Sequence, residues 1–403
     1  MVDSLVVFGC VTRMLAPTIA TARCDRFNGM DQSSPGDHSP LKKSPLHDRH
    51  VALGAKFAEF GGWEMPLEYS GVVSEHKAVR SSVGVFDVSH LGKAVVKGPG
   101  AADYVNATLS NDLAKIEPGK AQYTLCCDDA TGGIVDDMIA YLHHDELVFL
   151  IPNAANTAEV VRRLADSAPT GVEVENHHTS HAILAVQGTR SDEVLAAVGL
   201  PVGHGYMSFL EASFKGAPVI VCRTGYTGEL GYELVVPNEV VIELWDALFE
   251  AGAQYDIAPC GLGSRDTLRT EMGYPLHGQD ITFEVTPNEG RLGWAVGWKK
   301  ETFWGKRVLV AEKETGPKRV LRGLVANGRG IPRPGMRVLL VGDVPLGEVT
   351  SGTFSPTRRV GVGLALIASQ VTDGTEVSVD VRGRREVFTV TRPPFVDPGV
   401  REG

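Results

Sequence analysis

The 403-residue chain carries 43% hydrophobic and 22% charged residues, the balance of a folded protein and not of a disordered one. Its formal charge of -10 disfavours nucleic acid as the main partner, because phosphate binding wants a basic footprint. Apolar runs such as LVVFGCV fall short of the roughly 18–20 residues of a membrane span. The six cysteines contain no CxxC, so neither a disulfide framework nor a cysteine zinc site is expected.

Met1 to about Pro40 lacks periodicity, is rich in Ser, Pro, Asp and Gly, and reads as a disordered extension. Arg13, Arg23 and Arg26 would suit an organelle transit peptide, but Asp3 and Asp25 do not. A start at Met30 accounts for the segment more simply. Between Leu41 and Pro66, HDRHVALGAKFAEF has a helical pattern ending at Gly61-Gly62, and a second helical stretch is expected around SEHKAVRSS. GVFDVSHLGKAVVKG outlines a strand pair and PGAADYVNATLSND a helix. AQYTLCCDDATGGIVDDMIAYLHHDELVFLIP then gives three strands joined by the turn signals DDATGG and HHDE, an antiparallel meander. Cys126 and Cys127 are adjacent on one of them and should face opposite ways.

The helix ANTAEVVRRLADSA follows, and the grammar repeats. Strands at VEVEN and AILAVQG precede a helix at SDEVLAAVG. Strands near SFLEASF, PVIVCRT and GYELVV precede helices at NEVVIELWDALFEAG and GLGSRDTLRTEMG. Strands with tight hairpins followed by helices imply an α+β fold with antiparallel sheets. A boundary falls at KETGPKR (Lys313 to Arg319), beyond which only short strands punctuated by Gly and Pro remain, the pattern of a small β domain.

Three segments could carry chemistry. TGGIVDDMIAYL places Asp136 and Asp137 inside an apolar strand. Alternation puts Asp136 with Ile134, Met138 and Ala140, and Asp137 with Val135, Ile139 and Tyr141. At least one carboxylate then meets a pocket or the core, where a charge needs a partner or a shifted pKa; a bulge or sheet edge with both carboxylates solvated is the other arrangement. RTGYTGELGYEL joins two strands, with Gly225, Gly228 and Gly231 every third residue and Glu229 at its centre. Its glycines would let backbone approach a ligand, and Glu229 could accept a bidentate pair from the amidine-like edge of a pterin or guanine. A hairpin turn with a solvated Glu is the alternative. In CGLGSRDTLRTEMGYPLHGQD, Arg265 and Arg269 share a helix face, which Asp266 and Glu271 could simply neutralise. HHTSH (His177, His178, His181) has no nearby acidic ligand except Glu175, so no metal site is expected.

In order, FGGWEMPLEY, EHKAVRSSVGVFDVSHLGK, YTLCCDDATGGIVDDMIAY, LAVQG, TGYTGELGYEL, GLGSRDTLRTEMGYPLHGQD, TPNEGRLGW, GIPRPG and GEVTSGTFSPT resemble the T-protein of the glycine cleavage system, a tetrahydrofolate-dependent aminomethyltransferase. The resemblance runs from about Ser44 to Pro398. It implies a three-domain cloverleaf around a central folate cavity: residues 41–85 with 184–312, residues 86–183, and a C-terminal β-barrel over 318–398. By this resemblance Asp137 matches the catalytic aspartate, while Glu229 and Arg265 match folate contacts. Tyr123, Tyr226, Tyr274, Asn153 and Trp294 match cavity-lining residues. Leu91 stands where many members have Met, and His277 where members often have Tyr.

The implied reaction moves the methylene carbon of an aminomethyl group on a lipoyl carrier, the H-protein, to tetrahydrofolate. The products are 5,10-methylenetetrahydrofolate, ammonia and dihydrolipoyl carrier, and no metal is required. The lipoylated H-protein is the implied partner, with the P- and L-proteins involved indirectly and neither nucleic acid nor membrane engaged. The bacterial cytoplasm is the expected location and a mitochondrial matrix the second. The rival readings are a folate-dependent demethylase of the same fold and a relative that assists iron–sulfur assembly or RNA modification. The latter should carry a KGCxxGQE-like stretch, which this chain lacks, and a flavin-linked relative should carry an N-terminal GxGxxG domain.

Overall fold

The computed structural model describes residues 40–340 and 342–400, so the expected N-terminal extension lies outside the described residues except for its end. The chain enters through a small three-stranded sheet formed by Lys42–Lys43, Trp63–Glu68 and Lys56–Phe60. Here the helical reading of HDRHVALGAKFAEF holds only for its first half. The helix His47–Ala52 stops at Leu53, and Lys56–Phe60 is a strand paired antiparallel to Trp63–Glu68. Gly54 supplies the positive φ (73°) that turns the chain out of the helix.

Two antiparallel sheets follow. The larger has six strands in the order Phe209–Phe214, Ala217–Cys222, Gly231–Pro237, His181–Gln187, Gly84–Asp87 and Ala258–Cys260; only its last pair is parallel. The smaller has five, in the order Lys120–Cys127, Ile134–His144, Leu147–Ile151, Ala94–Lys97 and Glu173–Asn176. The strands outlined by GVFDVSHLGKAVVKG therefore do not pair with each other. Gly84–Asp87 enters the larger sheet, Ala94–Lys97 the smaller, and the chain returns to the larger sheet at His181.

Each sheet buries one face under helices and the other against its neighbour. Asn238–Gly252 and Ser191–Ala197 cover the larger sheet through Val241, Leu244, Trp245, Val194 and Leu195, packed on Leu184, Val186 and Leu234. Ala101–Thr108 and Thr157–Asp166 cover the smaller through Val105, Val160 and Leu164, packed on Val96, Met138 and Leu150. Between the sheets, Tyr141, Phe149 and Ile151 meet Ile183, Ala185 and Val235 in a third core. Alternate residues of Leu147–Ile151 thus serve two cores, as a strand buried on both faces requires.

After the helix Lys306–Thr315 the chain is all strand. It closes a six-stranded barrel in the order Arg319–Ala326, Val360–Ala368, Val344–Ser355, Arg337–Leu340, Glu376–Val381 and Arg384–Thr391. Its interior is filled by Leu324, Val338, Val349, Val379, Phe388 and Val390. The architecture is mixed α+β with a closed C-terminal barrel.

Candidate active site

A cavity of ≈ 770 Å³ opens where the facing edges of the two sheets meet the helix Leu262–Met272 and the loop that follows it. Its volume falls within the range of small-molecule sites. The barrel supplies none of its lining residues and instead buttresses the helix from behind: Arg269 donates to Ser351 Oγ at 2.7 Å, and Leu292 packs with Leu321 and Phe395.

The paired aspartates stand in this wall. Strand Ile134–His144 pairs with Lys120–Cys127 in a register that sets Asp137 opposite Leu125, Asp136 opposite Cys126 and Ile134 opposite Cys127. Val135 is the extra residue of a β-bulge. The bulge corrects the alternation expected from sequence. Val135 packs with Met138 and Ala140 in the helix-covered core, whereas Ile134 packs with Leu125 and Cys127. Asp137 lines the cavity; Asp136 lies behind it, fully buried. Cys126 and Cys127 do face different cores, as expected of neighbours on a strand.

Neither carboxylate is solvated at an edge. Asp136 Oδ2 accepts the Asn153 backbone N–H at 2.9 Å, and its Oδ1 accepts the side-chain amides of Asn153 and Asn156, each at 2.8 Å. Asn156 is the partner that periodicity could not identify. Asp137 Oδ2 accepts the Tyr123 hydroxyl at 2.9 Å and its Oδ1 the Asn153 amide at 2.9 Å. Asn153 thus ties the two carboxyls together. His277 completes the group: its Nε2 lies 3.0 Å from the Ile134 carbonyl and its Nδ1 2.9 Å from the Asn156 amide.

Burial, with the adjacent Asp137 charge, pushes Asp136 up to about 7 against the opposing pull of His277 and the two asparagines. Burial pushes Asp137 up too, opposed by His277, Tyr123 and Asn153. Two interacting acids titrate as a pair, so the upper step belongs to both. Burial, then Asp137, raises the Tyr123 hydroxyl, which stays an O–H donor.

At the other end, burial lowers the pKa of Arg265, and the guanidinium lies 4.9 Å from the Tyr226 ring centre. Its Nη2 is 4.0 Å from Glu233 Oε1, and its buried Nη1 has no hydrogen-bond partner among the described residues. Glu233 lines the cavity and accepts the Thr224 hydroxyl at 2.6 Å. Between the ends run two aromatic stacks, Tyr226 on Tyr274 (5.7 Å) and Tyr123 on Trp294 (5.2 Å). Trp294 is 66% exposed, so this stack stands at an opening.

Leu91, Tyr123, Asn153, Tyr226, Arg265, Tyr274 and Trp294 all line the cavity beside Asp137. Glu229 does not. Its carboxylate is taken by Arg80 at 2.9 Å, which also holds Glu271. The glycines around it serve packing: a side chain at Gly228 would meet Met272 Sδ at 2.2 Å, and one at Gly225 would meet Gln187 Oε1 at 2.1 Å. Of the two glutamates Glu229 and Glu233, it is Glu233, on the strand Gly231–Pro237, that lines the cavity. Its sequence signal is the one that marked Asp136 and Asp137, a carboxylate within an apolar strand.

Arg269 shares the helix with Arg265 but is buried against Asp266 (2.7 Å) and Asp280 (2.6 Å). The HHTSH histidines lie outside the cavity lining: His178 Nε2 is 2.8 Å from the His90 carbonyl and His177 is 3.0 Å from Glu175. Among the described residues no helix is long and apolar enough to cross a membrane.

Fold and site together define an α+β enzyme whose aromatic-walled cavity holds buried carboxylates. Residues 46–300 match the family model described as the GCVT N-terminal domain, and residues 319–397 match the glycine cleavage T-protein C-terminal barrel domain. An aminomethyltransferase of Parafrankia sp. is 61% identical over 90% of this chain and 99% of its own length. One from Mycobacterium leprae is 57% identical over 91% and 100%. The crystal structure of glycine cleavage system aminomethyltransferase T from Bartonella henselae superposes with a TM-score of 0.84 at 33% identity, covering 89% of this chain and 99% of that one. The chain belongs to the glycine cleavage T-protein family and is an aminomethyltransferase. This favours the main reading of the sequence over the demethylase and assembly-factor alternatives.

Proposed function

We propose that the cavity binds tetrahydrofolate as the carbon acceptor and admits the aminomethyl-lipoyl arm of an H-protein, with Asp137 as the catalytic carboxylate. The family is tetrahydrofolate-dependent, and the residues present suit a folate. The orphaned Arg265 Nη1 and the carboxylate of Glu233 offer a donor and an acceptor to a polar heterocycle, and the two aromatic stacks offer walls for flat rings. Glu233 replaces Glu229 as the group proposed to accept the pterin's amidine-like edge. Leu91, Asn153 and Tyr274 shape the wall.

When bound, tetrahydrofolate supplies the two amine nitrogens that take the carbon. Their two protons must end on the departing sulfur and the departing ammonia. Asp137 Oδ2 is placed to hold one of them, because the Tyr123 hydroxyl can turn from donor to acceptor as the carboxylate protonates. As an anion, Asp137 also stabilises the cationic carbon that develops during transfer. Burial around it removes competing water and strengthens both effects.

The observation that carries this reading is a carboxylate lining the cavity and held by Tyr123 and Asn153 without a lysine or arginine partner among the described residues. The test is ammonia release from aminomethyl-lipoyl carrier with and without tetrahydrofolate. Asp137→Asn should lower turnover about 10²–10⁴-fold and leave folate dissociation nearly unchanged. Near-normal turnover in that variant, or release that does not depend on folate, would overturn it. The bacterial relatives support a cytoplasmic site of action.

A further inference from the structure

We infer that Asp136 is a positioning residue: it keeps a fixed negative charge directly behind Asp137 and thereby makes Asp137 the stronger base. This rests on the reading of Asp137 as the reacting carboxylate.

The two acids differ in what surrounds their oxygens. Among the described residues every hydrogen-bond partner of Asp136 is an N–H group, namely the Asn153 backbone and the amides of Asn153 and Asn156. The amide orientations are forced. Asn153 faces three acceptors, Asp136 Oδ1 and the Oδ1 and carbonyl of Asp137, so its nitrogen must point there. Asn156 faces the Asp136 carboxylate, which as an anion can only accept, so its nitrogen points there as well. An N–H cannot accept, so a proton on the remaining lone pair of Asp136 Oδ2 would be a buried donor without an acceptor, in a site with no water access. Asp137 has no such obstacle. Its Oδ2 partner is a hydroxyl, which rotates, and it faces the cavity.

Among the described residues no lysine or arginine is paired with either acid. The titratable groups around it are Tyr123 and Cys126 on the neighbouring strand, Tyr226 across the cavity, His277 on the loop, and Glu159 with Arg163 along the helix Thr157–Asp166. His277 pulls both acids down but only partly offsets their burial, and Arg163 is engaged by Glu159 and Asp128. Two adjacent buried carboxyls without a lysine or arginine partner do not both ionise easily, so they share one proton near neutrality. The donor pattern assigns that proton to Asp137.

The test is the pH profile of kcat for wild type and Asp136→Asn, together with a ¹³C carboxyl titration of both aspartates in the wild-type protein. In the variant, Asp137 loses its anionic neighbour, so the acid limb should move down by roughly 1–2 pH units. A lowered kcat with an unmoved limb would mean a merely structural role and overturn the proposal. So would a wild-type titration in which Asp136, not Asp137, takes the proton near neutral pH. If Asp136→Asn does not fold, Asn156→Ala removes one N–H from Asp136 and should move the limb in the same direction by less; an unmoved limb there overturns it too. Retained turnover in Asp137→Asn would defeat the underlying assignment instead, and the carboxyl titration would still locate the proton.

Discussion

Two groups of buried carboxylates flank the helix Leu262–Met272, and they are built on opposite principles. Behind the helix, Glu271 is met by Arg80 at 2.9 Å and His76 at 3.3 Å, and by Ser355 and Thr357 from the barrel. Asp280 is met by Arg269, Thr350 and Ser351. On the cavity side, Asp136 and Asp137 have only amides and a phenol. The first group is charge-compensated and joins the helix to the barrel. The second has no lysine or arginine partner among the described residues, and the pull of His277 only partly offsets burial, which costs stability and leaves proton affinity to be used. Buried charges with full partners hold the fold; those without mark where chemistry is done.

The compensated group breaks hardest. Arg269→Met strips Asp266 and Asp280 of their cation and Ser351 of its donor, and should destabilise the fold by about 3–5 kcal/mol in urea unfolding. The two groups should also respond to pH with opposite sign. The upper step of the Asp136–Asp137 pair, about 7, lies above the unfolded value near 4. Stability from the pair is therefore full below pH 4 and lost as pH rises through 7. Asp136→Asn should flatten that slope, so that from pH 4 to pH 8 it loses about 2–4 kcal/mol less than the wild type does, whatever the amide costs at its donor-lined site.

Glu271 runs the other way. Burial alone would raise it, but the hydrogen bond and charge of His76, then Ser355 and Arg80, bring it down from 4.5 to about 2. Its stabilisation is full above pH 4.5 and lost as pH falls through 2. Glu271→Gln should accordingly abolish about 2–3 kcal/mol of acid sensitivity. Equal pH slopes in the two variants would dissolve the distinction between the groups.

Much of this was legible in the residues. Turn signals located the meander, and the loss of helical pattern after Arg319 located the barrel. What escaped is what alternation does not encode. A bulge at Val135 leaves no mark in composition, yet it decides which core Ile134 and Val135 enter. Asn156 lies twenty residues from Asp136 in sequence and reaches it only because strand Leu147–Ile151 delivers the next helix beside strand Ile134–His144. Glu229 drew notice because glycines surround it, but those glycines make room for Gln187 and Met272.

Glu229 and Glu233 offer the finest version of the comparison, because four residues separate a member of each group. Glu229 lies at the turn and shares Arg80 with Glu271. Glu233 follows on the strand, opposite Cys222 and Ala185, with its carboxylate beside Arg265 in the cavity. Glu233→Gln keeps the shape but loses one acceptor and the charge beside Arg265. Folate dissociation should rise about 10–100-fold, the size expected when one charge-assisted hydrogen bond is lost and its partner left unpaired. Glu229→Gln should leave folate dissociation within about twofold and cost about 1 kcal/mol of stability, because Arg80 retains Glu271 and the Thr227 carbonyl. Isothermal titration with tetrahydrofolate, set beside urea unfolding of the same two variants, separates the effects. If Glu229→Gln weakens folate as much as Glu233→Gln does, the pterin end of the cavity has been assigned to the wrong carboxylate, and the turn rather than the strand reads the ligand.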